Sequence, residues 1–311
     1  MLGFVLFAGL TQISAIPDEF YRQEYSDETI AVVSDAGVQQ GEKIARALEQ
    51  LAERGDASAY EALGEIYANG SFGIPRDAAR GCDYFEKVGD RRADALHNLA
   101  TCYYSGDGRR QDYVKARQLY AQAADGGWRM AFCAYGNMLV RSEGGPENKT
   151  EGIRLCRATA ILGDPDAQTD YGTYLLTGNG VERDPVAARF MLEQAAAQNQ
   201  RNAAFLLGQI HTRGDGTPVD HAAASEWFER AYDWGRRDAA YEAARSYLRR
   251  GYIQKEDGTA TVRPELLSQC LAWLEKAEAV EPAGSERQTS AADLARLVGK
   301  MIAAAGQDRD D

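Results

Sequence analysis

The sequence has few of the residues that build metal and cofactor sites. Its 311 residues include three histidines, five cysteines and eight prolines. His97, His211 and His221 are far apart in the chain and no Cys-x-x-Cys occurs, so the spacing typical of zinc ligands is missing. Scarce proline and abundant alanine favour helix. We therefore expect a mainly helical chain with no metal and no cofactor.

Positive charge is also in deficit. Lysine and arginine number 35 against 47 aspartates and glutamates, which gives a net charge of -12. Because phosphate contacts need a basic surface, this balance argues against a nucleic-acid partner. The 44% of hydrophobic residues is too high for a disordered chain.

The apolar run at the N-terminus, Leu2–Leu10, is too short to cross a bilayer, which takes about 20 residues. Residues 1–15 resemble the apolar region of a secretory signal peptide with Ile13-x-Ala15 as its cleavage site, although basic residues before it are missing. This interpretation predicts a periplasmic or secreted protein with no membrane-inserted segment. The alternative is a cytoplasmic protein whose apolar N-terminus packs on the fold.

The most prominent feature of the sequence is a repeat with a period of 36 residues. Six alanines share this spacing, and a small residue follows each of them five positions later. Apolar residues stand four and eight positions after most of these alanines. These offsets lie on one face of a helix, where small residues let a neighbouring helix approach closely. The alanines are Ala59, Ala95, Ala131, Ala167, Ala203 and Ala239.

A second helix is predicted in the same register. Its N-caps recur every 36 residues as Asp112, Asn148, Asp184 and Asp220. Glu151, three residues after Asn148, predicts a capping box. Each second helix is expected to end at a residue that suits a left-handed backbone, namely Gly127, Gly163, Asn199 and Gly235.

The Gly178-x-Gly180 motif before a helix could bind a phosphate. However, similar glycines recur in several repeats, and Asp184 would put a negative charge where the anion should lie. We therefore interpret these glycines as turns between helices.

The pattern Ala-x-x-x-Leu-Gly-x-x-Tyr-x-x-Gly-x-Gly, followed by Asp and then Ala-Ala-x-x-Gly, resembles the Sel1-like repeat, a relative of the tetratricopeptide repeat. The resemblance covers about residues 41–280 and is best at 167–202 and 203–238. In the third copy, Ser142 replaces the first glycine. The resemblance implies an all-α solenoid, a right-handed superhelix of about six helix pairs that binds other proteins, with no catalytic residues in the motif.

We expect more than about 60% of the residues in helix, well above the share in ordinary globular proteins, and no sheet. The chain divides into segments that follow the repeat. The predicted segments are a signal peptide at 1–15, an N-terminal segment with a capping half-repeat at 16–58, the repeat array at 59–283 with an insertion near 251–263, a C-terminal capping helix at 284–304, and an acidic tail at 305–311.

Motifs of common enzymes are missing. No Gly-x-Ser-x-Gly, His-Glu-x-x-His or Ser-x-x-Lys occurs. We therefore predict a scaffold or regulator that binds a protein or peptide, and no catalytic residue. The alternative is an enzyme or ligand-binding protein, for example a cell-wall-related hydrolase, whose site lies outside the repeat motif, in the insertion at 251–263.

The cysteines allow two interpretations. Cys82 and Cys102 fall on helices that should be neighbours, so an exported protein could form a disulfide between them. The alternative is that the cysteines are reduced, buried and apolar in character. An odd number of cysteines leaves at least one thiol unpaired in either case.

In tetratricopeptide-like arrays the first helix of each pair lines the concave face. Outward positions are then expected at Glu61, His97, Cys133, Thr169, Phe205 and Tyr241, and at Glu65, Thr101, Asn137, Thr173, Gln209 and Arg245. Helix ends add Tyr104, Arg141, Arg213 and Arg249. Arginine and exposed aromatic residues dominate interface energies, and arginine can hold a carboxylate with two hydrogen bonds. We therefore predict a partner site for an acidic or extended peptide at Phe205, Arg213, Tyr241, Arg245 and Arg249, the alternative being a plain solvated face.

Overall fold

The computed structural model describes Ser26, Glu28, Thr29, Val32 and residues 41–256, 259–280 and 284–307. These residues contain 14 α-helices, one short 3₁₀ turn and two three-residue strands. Helix accounts for 74% of the structure, which confirms the all-α prediction. The chain forms two compact units, Met1–Thr159 and Ala160–Asp311.

The described part of the N-terminal unit is a row of helices in which each helix packs against the next. They are α1 Gly41–Glu53, α2 Ala57–Asn69, α3 Ala78–Val88, α4 Ala93–Ser105, α5 Tyr113–Asp125, α6 Arg129–Val140 and α7 Lys149–Ile161, whose last two residues belong to the second unit. The core of the first pair buries Leu48 from α1, Leu63 from α2 and Tyr84 from α3.

The C-terminal unit repeats this arrangement, again with each helix against the next. Its elements are α8 Pro165–Thr177, α9 Pro185–Ala196, α10 Arg201–Arg213, α11 His221–Asp233, α12 Ala239–Gly251, β1 Tyr252–Gln254, β2 Ala260–Val262, α13 Pro264–Val280 and α14 Glu286–Gln307. Within the described ranges, the six predicted pairs are therefore α2–α3, α4–α5, α6–α7, α8–α9, α10–α11 and α12–α13.

The second helices begin at the predicted caps. The Asp184 carboxylate accepts hydrogen bonds from the backbone N–H groups of Val186 and Ala187, and Asp220 makes the same contacts at the start of α11. Asn148 Oδ1 accepts from the Glu151 N–H at 3.2 Å. The predicted capping box is wrong, because the Glu151 carboxylate binds the Arg154 guanidinium at 2.6 and 2.7 Å and does not reach back to Asn148.

The glycines of the repeat are turns, as predicted. Gly178 ends α8 with φ +70°, and its N–H donates to the Tyr174 carbonyl at 2.9 Å. Ser142, which replaces glycine in the third pair, takes the same left-handed conformation with φ 57°. A side chain is strained there, so the backbone of the turn is conserved at a local energetic cost.

The small residues inside the helices let paired helices touch. A Cβ on Gly208 of α10 would stand 2.6 Å from the Phe228 ring of α11, which is closer than carbon atoms pack. The contact in the third pair is between backbones, because a Cβ on Gly136 would stand 2.6 Å from the Gly152 carbonyl oxygen. The periodic small position is therefore the point of closest approach within a pair.

The prediction of no sheet is wrong. In the insertion, β1 and β2 pair antiparallel with Tyr252 opposite Val262, and the Lys255 N–H donates to the Thr259 carbonyl at 2.8 Å. The inserted residues are rich in β-branched side chains, and their backbone groups need hydrogen-bond partners outside the helices. A hairpin supplies those partners.

The C-terminal capping helix predicted at 284–304 lies slightly later in the chain. It begins at Glu286 because Ser285 caps it, with Ser285 Oγ accepting from the Gln288 N–H at 3.1 Å. Helix α14 also takes in the first residues of the predicted acidic tail and ends at Gln307. Leu297 of this helix is 49% exposed. Residues 1–15 and 308–311 lie outside the described residues, so the signal peptide and the end of the tail stay predictions.

Candidate functional site

A cavity of about 310 Å³ lies between α10 and α12 in the C-terminal unit. Its lining residues are Gln209, Thr212, Arg213, Phe228, Glu242, Arg245 and Arg249. Phe228 belongs to α11 and is 1% exposed, so its ring forms an apolar floor. The cavity thus brings three of the five predicted partner residues, all arginines, to one place.

Two of these guanidinium groups have no hydrogen-bond or ion-pair partner among the described residues. Arg245 Nη1 lies 3.2 and 3.3 Å from the two carboxylate oxygens of Glu242, three residues earlier on α12. Arg213 and Arg249 are exposed, and no hydrogen bond or ion pair joins either of them to another described residue. Three arginines against one glutamate leave the cavity with two formal positive charges, in a chain of net charge -12.

His221, the first residue of α11, adds no charge to this region. Partial burial lowers the pKa of its imidazole, and the positive charge of Arg249 lowers it further. Asp220 acts in the opposite direction but does not reverse the shift. The ring is therefore neutral at pH 7, and the electrostatic field of the cavity comes from the arginines and Glu242.

The two predicted aromatic residues do not line the cavity. The Phe205 ring packs edge-to-face on Phe228, with centroids 5.3 Å apart, and the Arg236 guanidinium covers it at 3.8 Å. Tyr241 is half-buried and packs on the core of the C-terminal unit. Both residues support the site from below or beside it, and neither lies on its surface.

The N-terminal unit contains a cavity at the same place in the repeat. It has about 240 Å³ and lies between α2 and α4, with Cys82, Phe85 and Cys102 among its lining residues. Six of its lining residues stand four repeats before a lining residue of the C-terminal cavity, namely Glu65, Ala68, Asn69, Asn98, Thr101 and Ser105. The positions of the three arginines are therefore neutral here. The fold makes the cavity, and the local sequence makes it cationic.

The prediction of outward positions is wrong at three of the first six residues. Glu61, Cys133 and Thr169 are only 0%, 4% and 6% exposed. Glu61 faces α4, where its Oε1 accepts from Asn98 Nδ2 at 2.7 Å. The second set of predicted outward residues, which runs from Glu65 to Arg245, is half-buried or exposed in every copy. The accessible surface of the first helices is thus narrower than the sequence pattern indicates, because neighbouring helices cover one of the two rows.

Two disulfides lie in the N-terminal unit. Cys82 of α3 is bonded to Cys102 of α4, and Cys133 of α6 is bonded to Cys156 of α7. The second pair was not predicted, because helical spacing placed Cys133 on the outward face. The signal was present, since the two residues occupy the two helices of one pair. Cys270 is free and buried, and burial raises the pKa of its thiol to about 11.

Within the described residues, no three histidine, cysteine, aspartate or glutamate side chains come together as a metal site. In the same residues, no helix is long and apolar enough to span a bilayer.

The family model for the Sel1 repeat matches residues 57–90, 93–128, 165–200 and 201–233. Those stretches contain the pairs α2–α3, α4–α5, α8–α9 and α10–α11, so the α10 side of the cavity lies within a matched repeat. The third pair, with Ser142 in place of glycine, lies between matched stretches.

Several solved structures are similar to this chain. A Sel1 repeat protein from Oxalobacter formigenes is 23% identical with a TM-score of 0.63, over 84% of this chain and 99% of that one. A protective antigen of uropathogenic Escherichia coli with an SLR fold is 25% identical with a TM-score of 0.55, over 90% of this chain and 61% of that one. Yeast Tom70 is 13% identical with a TM-score of 0.51, over 83% of this chain and 50% of that one, a likeness of fold alone. The repeat register, the helix pairs and these matches agree, and the chain contains four Sel1 repeats.

Proposed function

We propose that this protein is an interaction scaffold whose C-terminal unit binds an acidic segment of a peptide or protein in the arginine cavity. Sel1 repeat proteins are typically non-catalytic scaffolds, which supports the general class. The observation that carries the specific proposal is the pair of unengaged guanidinium groups, Arg213 and Arg249, at one cavity above the Phe228 floor.

The chemistry of the cavity favours a carboxylate-rich ligand. Guanidinium groups hold carboxylates with two parallel hydrogen bonds, and such charge-assisted bonds are about twice as strong as neutral ones. The volume is at the small end of ligand pockets, which are about 300–1,000 Å³, so it suits one or two side chains rather than a large cofactor. An acidic segment could lay its side chains against the arginines while the rest of the partner contacts the surrounding helices.

The distribution of residues bears on the alternative of an enzyme or ligand-binding site in the insertion. The arginines gather between α10 and α12, and no described residue of the β1–β2 hairpin lines that cavity. This placement favours a binding surface of the repeats over a site in the insertion.

The proposal is tested with a fluorescent peptide of alternating Glu and Ser and its Gln-for-Glu counterpart, by anisotropy against the whole protein. The wild type should prefer the acidic peptide. The double variant R213A/R249A should bind it at least about tenfold more weakly, about 1.4 kcal/mol. Unchanged affinity in a variant with wild-type circular dichroism would contradict the proposal.

A matched control is the double variant R110A/R157A. Both arginines are exposed, and no hydrogen bond or ion pair joins them to another described residue, so the change removes the same charge from residues that do not line the cavity. Its affinity should stay within about twofold of wild type, since salt screens exposed charges that make no contact with the ligand. Equal loss in the two double variants would mean that net charge, and not the cavity, holds the peptide.

We further propose that the protein works in an oxidising compartment, the periplasm or the cell exterior. The two disulfides support this, because such bonds persist where thiols are not kept reduced. A test is alkylation of thiols in intact cells followed by mass mapping. Four protected cysteines would agree with export, and five alkylated cysteines would refute it.

A further inference from the structure

We propose that Glu242 is a specificity-determining residue of the arginine cavity, an internal carboxylate that occupies Arg245 and limits the ligand to two acidic groups. This inference rests on the proposed function of the cavity. It predicts that the unaltered cavity recognises two neighbouring carboxylates and makes little use of a third.

The geometry gives the three arginines different roles. Glu242 and Arg245 share one helix face, and Arg245 Nη1 is shared between both carboxylate oxygens at 3.2 and 3.3 Å. The side chains are 29% and 43% exposed, so both reach the cavity while still contacting solvent. Arg213 and Arg249 carry no such partner in the described part of the chain. A ligand therefore finds two available guanidinium groups and one that is already engaged.

Glu242 also acts on the ligand directly. A carboxylate in the cavity wall repels an incoming carboxylate, and like charges placed together at an interface disfavour binding. A third acidic group on the ligand would have to displace Glu242 from Arg245 and remain close to it. The gain from a third ion pair is thereby offset by the loss of the internal one.

The fold does not require a carboxylate at this position. Four repeats earlier, the corresponding residue is Asn98, which lines the equivalent cavity of the N-terminal unit. Its amide Nδ2 donates to Glu61, so the position accepts a neutral side chain in a well-packed repeat. The substitution E242Q, which keeps the size and removes the charge, is therefore expected to fold normally.

The experiment uses three labelled peptides of equal length that carry one, two or three adjacent glutamates among serines. With wild-type protein, the second glutamate should tighten binding about tenfold and the third by less than about twofold. With E242Q, the third glutamate should tighten binding about fivefold, because one guanidinium group is released and one repulsive charge removed. The double variant E242Q/R245A should lose that added gain.

The control is E226Q, which removes an exposed carboxylate of α11 outside the cavity lining. It should follow the wild-type pattern with all three peptides. If E242Q behaves as wild type while R213A/R249A loses binding, Glu242 has no selective role and the proposed function stands. If R213A/R249A binds every peptide as wild type does, the proposed function itself fails. Weaker binding by E242Q would overturn the inference by showing that Glu242 positions Arg245 for the ligand.

Discussion

Glu61 offers the sharpest test of the structure, because a carboxyl group fully buried in the first repeat should make stability depend on pH. Its side chain is 0% exposed in α2. Oε1 accepts a hydrogen bond from Asn98, whereas Oε2 has no partner among the described residues. Burial and, after it, the nearby Asp94 carboxylate raise the pKa of Glu61 from 4.5 to about 8, against the opposing effects of Asn98 and Arg92.

The sign and size of the effect follow from proton linkage. Below the unfolded pKa of 4.5 the group is protonated in both states. Between that value and about 8 the unfolded chain loses the proton and the native protein keeps it, so the free energy of unfolding falls as pH rises. Each pH unit costs up to about 1.4 kcal/mol, and the whole interval about 4 to 5 kcal/mol as an upper bound.

The substitution E61Q should remove this dependence, since glutamine has the same shape and no titration. Urea unfolding followed by circular dichroism at several pH values would measure the difference in stability between E61Q and the wild type. The difference should be smallest at about pH 4 and grow to several kcal/mol by about pH 8. E53Q, at an exposed position of α1, serves as a control with no such trend. A difference that stays constant over this range would refute the argument that Glu61 is protonated in the native protein.

Two further predictions concern packing and crosslinks. G208A should lower the free energy of unfolding by about 1–3 kcal/mol despite its better helix propensity, because the new Cβ would overlap the Phe228 ring. G299A, with open space around it, should be neutral or slightly stabilising. Equal effects of the two substitutions in thermal unfolding would contradict this prediction. C133S/C156S should lose about 3 kcal/mol under oxidising conditions, as expected for opening a crosslink of 23 residues, and a melting temperature equal to that of the oxidised wild type would contradict the bond.

The sequence by itself determined the helix pairs, because their signals are local and repeated. Asp184 caps α9 through its own side chain and the next two backbone N–H groups, and Gly178 ends α8 with a conformation that glycine adopts readily. Such interactions span only a few residues, so spacing alone reveals them. The same period predicted the close contact at Gly208, because a small residue on a helix face has few other uses.

Tertiary structure decided which side of each first helix is free. Glu61 and Arg245 both lie on rows that helical spacing places outside the small-residue stripe, yet Glu61 is buried against α4 and Arg245 lines a cavity. The difference depends on how the next first helix packs, which involves residues about 36 positions away. The Cys133–Cys156 bond was missed because it depends on how the two helices of one pair pack, 23 residues apart in the chain.

The charge state of the cavity could also be determined only from the tertiary structure. The sequence indicated that arginines collect near the fifth and sixth repeats, and their common cavity agrees with that prediction. It could not show that Glu242 engages Arg245 while Arg213 and Arg249 have no partner in the described part of the chain. Side-chain pairing on a helix surface is worth only about 0.2–0.5 kcal/mol and is easily redirected by neighbours. Periodicity therefore determined where the arginines lie, and packing determined which of them a ligand can reach.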